Sequence, residues 1–356
     1  MTADLRIKPY RLALQTPYRW SKGTQHQRAG LILRATIDGR VGWGEAALPP
    51  HVDYPPEAFA AEARALLAGL DPGAADVLDE LELRECPARL RCGFSTAVIT
   101  ARAAASGRTL SQYLAPAAAV LPERIPVNEL IGDADPRTCV DRARAALAAG
   151  QDTVKVKCTT ERELDLARVG AIRAAFPALR IRIDPNESWP LDWAADQLRA
   201  MERFELEYCE EPLPRGTALA EYGRLRRQTT VPIALDDSIR TVRDVELAAL
   251  LGAADVLVLK AQRVGGPDRL MEVFAAAREA GLHCTVTSSL ETSLGLTLGI
   301  HCAALADAPV AAAGIGTARF YAQNVGPPPP IVDGHMVVPT APGLGFDAQA
   351  WWDAQA

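Results

Sequence analysis

A Lys-Val-Lys pattern provides the first side chains in the sequence that could do chemistry. Lys155 and Lys157 lie in a β-rich run over residues 153–158, and successive side chains of a strand point to opposite faces. Because the intervening valines suit a face covered by helices, both lysines are predicted to face the interior of a sheet. A later β-rich run, residues 255–260, ends in Lys260.

Three acidic residues, Asp184, Glu210 and Asp236, end three consecutive β-rich runs. The carboxyl ends of parallel barrel strands meet at one face, so these carboxylates are expected to converge and to repel one another. A hard divalent cation resolves the repulsion, and oxygen-only ligands select Mg²⁺, with Mn²⁺ as the alternative. Glu211 and Asp237, which follow directly, are explained equally well as helix caps.

The two lysines suggest a reaction. In a ring of eight strands, Lys157 on the second and Lys260 on the sixth face each other across the mouth. Two lysines beside a carboxylate-bound cation suit removal of a proton α to a carboxylate, with one lysine as base and the cation stabilising the enediolate. Residues predicted to bind substrate or support the site are Lys155, Asn186, Asp237, Ser288, Ser289 and Gly316.

A repeated strand–helix pattern positions these residues. From residue 124 onward, each short β-rich run is followed by an amphipathic helix, which predicts a parallel barrel with its site at the strand ends. An open doubly wound sheet is the alternative, but no glycine-rich phosphate turn follows any run. The eight runs span residues 125–131, 153–158, 181–184, 206–210, 232–236, 255–260, 283–288 and 311–316.

The first third of the chain predicts an α+β unit. Asp38-Gly39 joins two strands as a tight hairpin turn, whereas residues 15–29 and 48–56 are predicted to be irregular loops. A second hairpin near residues 332–338 is expected to return to the N-terminal unit. The predicted division is a capping domain of residues 1–120, completed by 320–356, and a barrel of residues 121–319.

Composition excludes several classes of protein. The chain has 356 residues, a net charge of −6 and 49% hydrophobic residues, without a membrane-length apolar run or a secretory signal. We therefore expect a cytoplasmic location and no nucleic-acid or membrane partner, with a homo-oligomer as an open option. The small-molecule carboxylate substrate is expected from the lysines and carboxylates described above. Seven cysteines without a Cys-x-x-Cys pair predict reduced thiols.

These motifs together resemble the muconate-lactonizing subgroup of the enolase superfamily. The resemblance implies a (β/α)7β barrel, a modified TIM barrel, under an α+β capping domain, with Mg²⁺ held by Asp184, Glu210 and Asp236. It is carried by Lys-Val-Lys at 155–157, Asp-Pro-Asn at 184–186, Glu-Glu-Pro at 210–212, Leu-Asp-Asp-Ser at 235–238, Arg-Val-Gly-Gly at 263–266, Gly-Trp-Gly-Glu-Ala at 42–46 and Pro-Gly-Leu-Gly at 342–345.

Within the subgroup, the sequence is most similar to the o-succinylbenzoate synthase family of menaquinone biosynthesis. This resemblance implies that Lys157 takes the α-proton and assists loss of hydroxide, while Lys260 stabilises the enediolate. The substrate would be 2-succinyl-6-hydroxy-2,4-cyclohexadiene-1-carboxylate, dehydrated to 2-succinylbenzoate. The motifs that carry it are residues 28–32, 126–128, 288–296 and 314–317.

Three alternatives stay open at this stage. An N-succinylamino acid racemase, a dipeptide epimerase or a muconate-type cycloisomerase would use the same two lysines on another substrate. A Schiff-base lyase or aldolase would instead use Lys157 or Lys260 as a nucleophile. A barrel that only scaffolds is disfavoured, because a site without activity has little reason to keep buried lysines opposite three acids.

Overall fold

The computed structural model describes residues 3–20, 23–49, 52–117, 120–132, 135–306 and 311–355. The strands are β1 (Ala3–Trp20), β2 (Gly23–Ile37), β3 (Arg40–Ala47), β4 (Arg124–Pro126), β5 (Glu129–Ile131), β6 (Thr153–Lys157), β7 (Arg180–Asp184), β8 (Tyr208–Glu210), β9 (Ile233–Leu235), β10 (Val256–Leu259), β11 (His283–Val286), β12 (Ile331–Val332) and β13 (His335–Val337).

The α-helices are α1 (Pro56–Leu67), α2 (Val77–Glu82), α3 (Ala88–Ala105), α4 (Leu110–Leu114), α5 (Pro136–Ala148), α6 (Arg162–Ala175), α7 (Leu191–Met201), α8 (Leu219–Arg226), α9 (Val242–Leu250), α10 (Ala261–Val264), α11 (Pro267–Glu279), α12 (Ser293–Ala303) and α13 (Gln349–Ala354). None of the helices in the described ranges is long and apolar enough to cross a membrane.

The N-terminal sheet is antiparallel, in the order β1-β2-β3. The predicted turn at Asp38-Gly39 is confirmed, with φ angles of 48° and 76°. The loop predicted over residues 15–29 is wrong for residues 15–20 and 23–29, which belong to β1 and β2 and stay paired beyond Ala13, with a register shift before Tyr18; residues 21–22 lie outside the described residues. The backbone can pair in this hairpin without an apolar face. The mostly polar sequence of residues 15–29 therefore gave no sign of the two strands.

Helix α3 packs directly on β3 through glycine. A Cβ atom on Gly44 would lie 1.9 Å from the Gly93 carbonyl oxygen, so only glycine permits this approach. In the loop predicted over residues 48–56, residues 48–49 and 52–55 form neither helix nor strand, while 50–51 lie outside the described residues.

Seven parallel strands, β5 to β11, form the barrel wall in chain order. The eighth predicted run, residues 311–316, forms no regular strand. It closes the ring through parallel bridges from Ala313 to Val127 and from Gly314 to Thr287. Only one residue pairs on each side, so the run forms no ladder of hydrogen bonds. Its position in the ring is nevertheless that of the eighth strand.

The C-terminal tail reaches two places. The predicted hairpin forms as β12 and β13, but β13 pairs with β4 rather than with the N-terminal sheet. The following helix α13 does reach that sheet, where the rings of Trp352 and Trp43 lie 5.5 Å apart and Lys8 Nζ donates to the Trp352 carbonyl at 2.8 Å. The domain boundaries given above stay a prediction.

His301 ties α12 to α4 and the tail. Its Nδ1 lies 3.2 Å from Ser111 Oγ and its Nε2 lies 3.0 Å from the Leu344 carbonyl. Burial lowers the pKa of His301 to about 4. The imidazole therefore stays neutral and is held on both sides, which is a structural role.

Acid should destabilise the protein through His301. The unfolded chain takes up the proton near pH 6.5 and the folded chain does not, so the free energy of unfolding should fall by about 2–3 kcal/mol between pH 6.5 and 4. In His301→Gln this component should vanish. Urea unfolding at several pH values measures it, and an equal pH slope in both proteins would contradict the assignment.

Candidate active site

All eleven predicted site residues line one cavity of about 170 Å³ at the carboxyl ends of the barrel strands. Ten of them lie within three residues of the carboxyl end of a barrel strand, and Gly316 belongs to the eighth run. Six basic and six acidic side chains of the described residues line this cavity, which are Arg89, Lys155, Lys157, Arg215, Lys260, Arg263, Asp184, Glu187, Glu210, Glu211, Asp236 and Asp237.

Lys155 joins two of the predicted metal ligands. Its Nζ lies 2.6 Å from Glu210 Oε1 and 2.8 Å from Asp184 Oδ2, and the side chain is buried. Burial alone would lower the pKa of Lys155, but the two carboxylates outweigh it and raise the pKa above its usual value. Lys155 is therefore a fixed ammonium group.

Lys157 and Lys260 stand on opposite sides of the cavity. Lys157 ends β6 and Lys260 directly follows β10, and these two strands are separated by three strands of the sheet. Lys157 Nζ lies 2.6 Å from Asp184 Oδ2, and Lys260 Nζ is paired with Asp236 Oδ2. A substrate between them would present one face to each lysine, as the sequence predicts.

The carboxylates differ in their electrostatics. Burial raises the pKa of Asp184, but the lysines at 155 and 157 outweigh it and hold the pKa below its usual range. The pKa of Glu210 is raised to about 7 in total: burial is the largest cause, the charges of Asp184 and Asp236 contribute to the rise, and Lys155 opposes it. Like charges concentrated at buried strand ends are the expected mark of a cation site.

The donor set fits a hard divalent cation. Asp184, Glu210 and Asp236 offer carboxylate oxygens from three adjacent strands to one cavity, which is the ligand type that Mg²⁺ prefers. Among the described residues, no three acidic, histidine or cysteine side chains already surround a common point. The Lys155 ammonium lies between two of these carboxylates, so a cationic group already neutralises them there.

Two residues support the predicted ligands through hydrogen bonds that involve the backbone. Asn186, with φ of 53°, places its N–H 2.8 Å from Asp184 Oδ1. Glu211 Oε2 accepts the Asp236 N–H at 2.6 Å, and its Oε1 accepts the Tyr222 hydroxyl at 2.7 Å. Glu211 therefore fixes the start of the loop that carries Asp236, which goes beyond helix capping.

The opposite wall comes from the ends of β11 and of the eighth run. Ser288 Oγ lies 2.9 Å from Thr317 Oγ1, while Ser289 Oγ is enclosed and has no partner within the described ranges. Arg28, fully buried, donates to the Ser289 carbonyl at 2.9 Å and thereby ties β2 to this wall. Gly316 also lines the cavity.

The sequence analysis missed three arginines of the cavity. Arg263 Nη1 lies 2.7 Å from Asp236 Oδ1 and its Nη2 is paired with Asp237. Arg215 lies 3.3 Å from Asp237 Oδ2 and also pairs with Glu187. Arg263 lies in a quoted motif, which is a signal for it, whereas Arg89 and Arg215 lie away from the strand ends and gave none.

The family is shown by direct comparison. Residues 138–351 match the family model described as enolase C-terminal domain-like. A muconate lactonizing enzyme from Pseudomonas fluorescens, whose structure is a complex with muconolactone, has the same fold. It superposes with a TM-score of 0.87 at 23% identity, over 98% of each chain. The chain belongs to the enolase superfamily of enzymes.

Several relatives carry names that specify a reaction. An o-succinylbenzoate synthase of Thermobifida fusca (strain YX) is 38% identical over 61% of this chain and 67% of its own. Another, from Mycolicibacterium smegmatis, is 33% identical over 88% and 82%. An N-succinylamino acid racemase of an Amycolatopsis species is 29% identical over 96% and 94%. A dipeptide epimerase from Cytophaga hutchinsonii, described as complexed with Mg and a dipeptide, has a TM-score of 0.85 at 22% identity, over 97% and 95%.

Proposed function

We propose that this chain is an o-succinylbenzoate synthase of menaquinone biosynthesis, a carbon–oxygen lyase that uses Mg²⁺. It would dehydrate 2-succinyl-6-hydroxy-2,4-cyclohexadiene-1-carboxylate to 2-succinylbenzoate. The observation that carries the proposal is the pair Lys157 and Lys260 on opposite sides of a cavity with three carboxylates between them. The synthases at 38% and 33% identity support the choice of substrate.

Asp184, Glu210 and Asp236 are the residues that would hold the cation. Mg²⁺ bound there would supply positive charge beside the substrate carboxylate and would weaken the hold of Asp184 on the Lys157 ammonium. Lys155, paired with Asp184 and Glu210, holds these two carboxylates in place.

Lys157 would act twice. As a free amine, Nζ takes the proton α to the substrate carboxylate, and the C–H bond breaks. The same ammonium then donates that proton to the departing hydroxyl group, so that the C–O bond breaks, water leaves and the ring becomes aromatic. Because one group serves both events, proton and hydroxyl leave from the same face.

Lys260 would act through its charge. Its ammonium group, fixed by Asp236, lies across the cavity from Lys157. Negative charge grows on the substrate carboxylate as the α-proton leaves, and a preorganised cation stabilises it without reorganisation. Lys260 therefore needs to stay protonated during the reaction.

Racemisation of N-succinylamino acids is the second candidate. The racemase from Amycolatopsis matches nearly the whole chain, which favours this activity at the same site. Each lysine would then take the proton from one enantiomer and the other lysine would return a proton to the opposite face.

Metal removal separates both candidates from Schiff-base chemistry. EDTA should lower the rate of dehydration more than about a hundredfold, and added Mg²⁺ should restore the rate. The reason is that the charge of the cation supplies several kcal/mol of transition-state stabilisation. Borohydride added with substrate should leave the protein mass unchanged. An adduct on Lys157 or Lys260, formed equally well in EDTA, would contradict the proposal and favour a Schiff-base lyase or aldolase.

A further inference from the structure

One cation of the cavity differs from the other five. Lys155, Lys157, Lys260, Arg215 and Arg263 each pair with an acidic side chain that also lines the cavity. Within the described part of the chain, Arg89 forms no such ion pair. Its one hydrogen bond there runs from Nη1 to the Ala47 carbonyl, at 2.8 Å.

Helix stability does not explain this arginine. Arg89 lies in the first turn of α3, where the helix dipole disfavours positive charge. Glu291 is the carboxylate that acts most strongly on it, yet Glu291 Oε2 accepts the Ser289 N–H at 2.6 Å. Burial lowers the pKa of Arg89 to about 10, which leaves it charged at neutral pH. A guanidinium with spare donors in a cavity invites an anionic ligand.

The position of the reacting carboxylate leaves Arg89 available. Lys157 and Lys260 lie on opposite sides of the cavity, and Arg89 lines the same cavity as a separate cation. The carboxylate that reacts belongs between the lysines, so a second one must lie elsewhere.

We infer that Arg89 binds the second carboxylate of a dicarboxylate ligand, the terminal carboxylate of a succinyl chain. For the identity of the ligand, the inference rests on the proposed function. Arg89 is then a residue of the N-terminal unit that determines specificity for dicarboxylate ligands. N-succinylamino acids carry the same terminal carboxylate, so the role of Arg89 also holds for the second candidate activity.

Calorimetric binding of two matched compounds tests the role of Arg89. 2-Succinylbenzoate carries both carboxylates, whereas 2-butanoylbenzoate replaces the terminal carboxylate with a methyl group. With Mg²⁺ present, Arg89→Gln should weaken binding of the first compound about tenfold to a hundredfold, the usual effect of a charge-assisted hydrogen bond. Binding of the second compound should change less than about threefold. Glutamine removes the positive charge and keeps an amide N–H donor.

Two further variants make the test selective. Arg108→Gln removes the same charge from an exposed site just after α3, at the end of the helix far from Arg89, and should match the wild type. Arg89→Lys keeps the charge but loses the two-pronged guanidinium, so an intermediate loss is expected. If Arg89→Gln does not fold, the lysine variant and the wild-type preference between the two compounds decide.

The outcomes separate the two proposals. Equal losses for both compounds, or a wild type without preference for the dicarboxylate, would overturn the inference whether or not dehydration is observed. A wild type that binds dicarboxylates through Arg89 but does not dehydrate the cyclohexadiene acid would overturn the proposed function and support the inference.

Discussion

Lys157→Ala is expected to lower kcat by more than the roughly 10²–10⁴-fold usual for loss of a general base. The loss is larger because the same group takes the α-proton and returns it to the departing hydroxyl. Stopped assays of 2-succinylbenzoate formation measure the rate, and the melting temperature of the variant shows whether it is folded. Activity within about tenfold of wild type would remove Lys157 from the mechanism.

Arginine variants distinguish the two lysines. Lys260→Arg keeps the positive charge that opposes the charge of the transition state, so part of the rate should return relative to Lys260→Ala. Lys157→Arg should stay as inactive as Lys157→Ala, because arginine does not give up a proton near neutral pH. Recovery in the opposite order would exchange the roles of the two residues.

The second large effect is expected at the carboxylates. Asp184→Asn, Glu210→Gln and Asp236→Asn should each abolish measurable turnover, because each removes one charge from a three-carboxylate cation site. Calorimetry should show weaker Mg²⁺ binding in each variant, a readout that does not depend on activity. Full activity or unchanged Mg²⁺ affinity in any one would exclude that residue as a ligand.

Asp237→Asn is the matched comparison for these three variants. Asp237 lines the same cavity, but it pairs with Arg263 and Arg215 at the rim. Its loss should lower activity less than loss of its neighbour Asp236, with Mg²⁺ affinity within about threefold of wild type. An effect as large as that of Asp236→Asn would place Asp237 among the ligands.

The site could be predicted because barrel geometry converts sequence into position. A residue at the carboxyl end of a parallel strand reaches the same face as its counterparts, which brought Lys157, Asp184 and Lys260 into one cavity from sequence alone. The ion pairs among them could not be predicted, since they depend on side-chain conformations. Arg89 could not be predicted at all, because its place in the cavity depends on packing between distant parts of the chain.

The fold was least predictable where pairing lacks an apolar signal. The hairpin extension beyond Ala13 pairs Tyr18 with Gln25, Arg19 with Thr24 and Trp20 with Gly23, so neither alternation nor a hydrophobic run marks it. Likewise, β13 pairs with β4 through three residue pairs. The sequence of such a short strand does not indicate which strand it pairs with. The sequence of the eighth barrel run indicates a strand. In the structure, this run is paired with its neighbours only through single bridges, so it is not a regular strand.

Proton NMR of the wild-type protein in D₂O with Mg²⁺ tests the central claim most directly. The samples are the cyclohexadiene acid and, separately, both enantiomers of an N-succinylamino acid, each also incubated with Lys157→Ala and Lys260→Ala. The account predicts aromatic signals of 2-succinylbenzoate with wild type and none with Lys157→Ala. No aromatic product with wild type, together with α-proton exchange of one enantiomer surviving in each variant, would contradict it and establish racemisation.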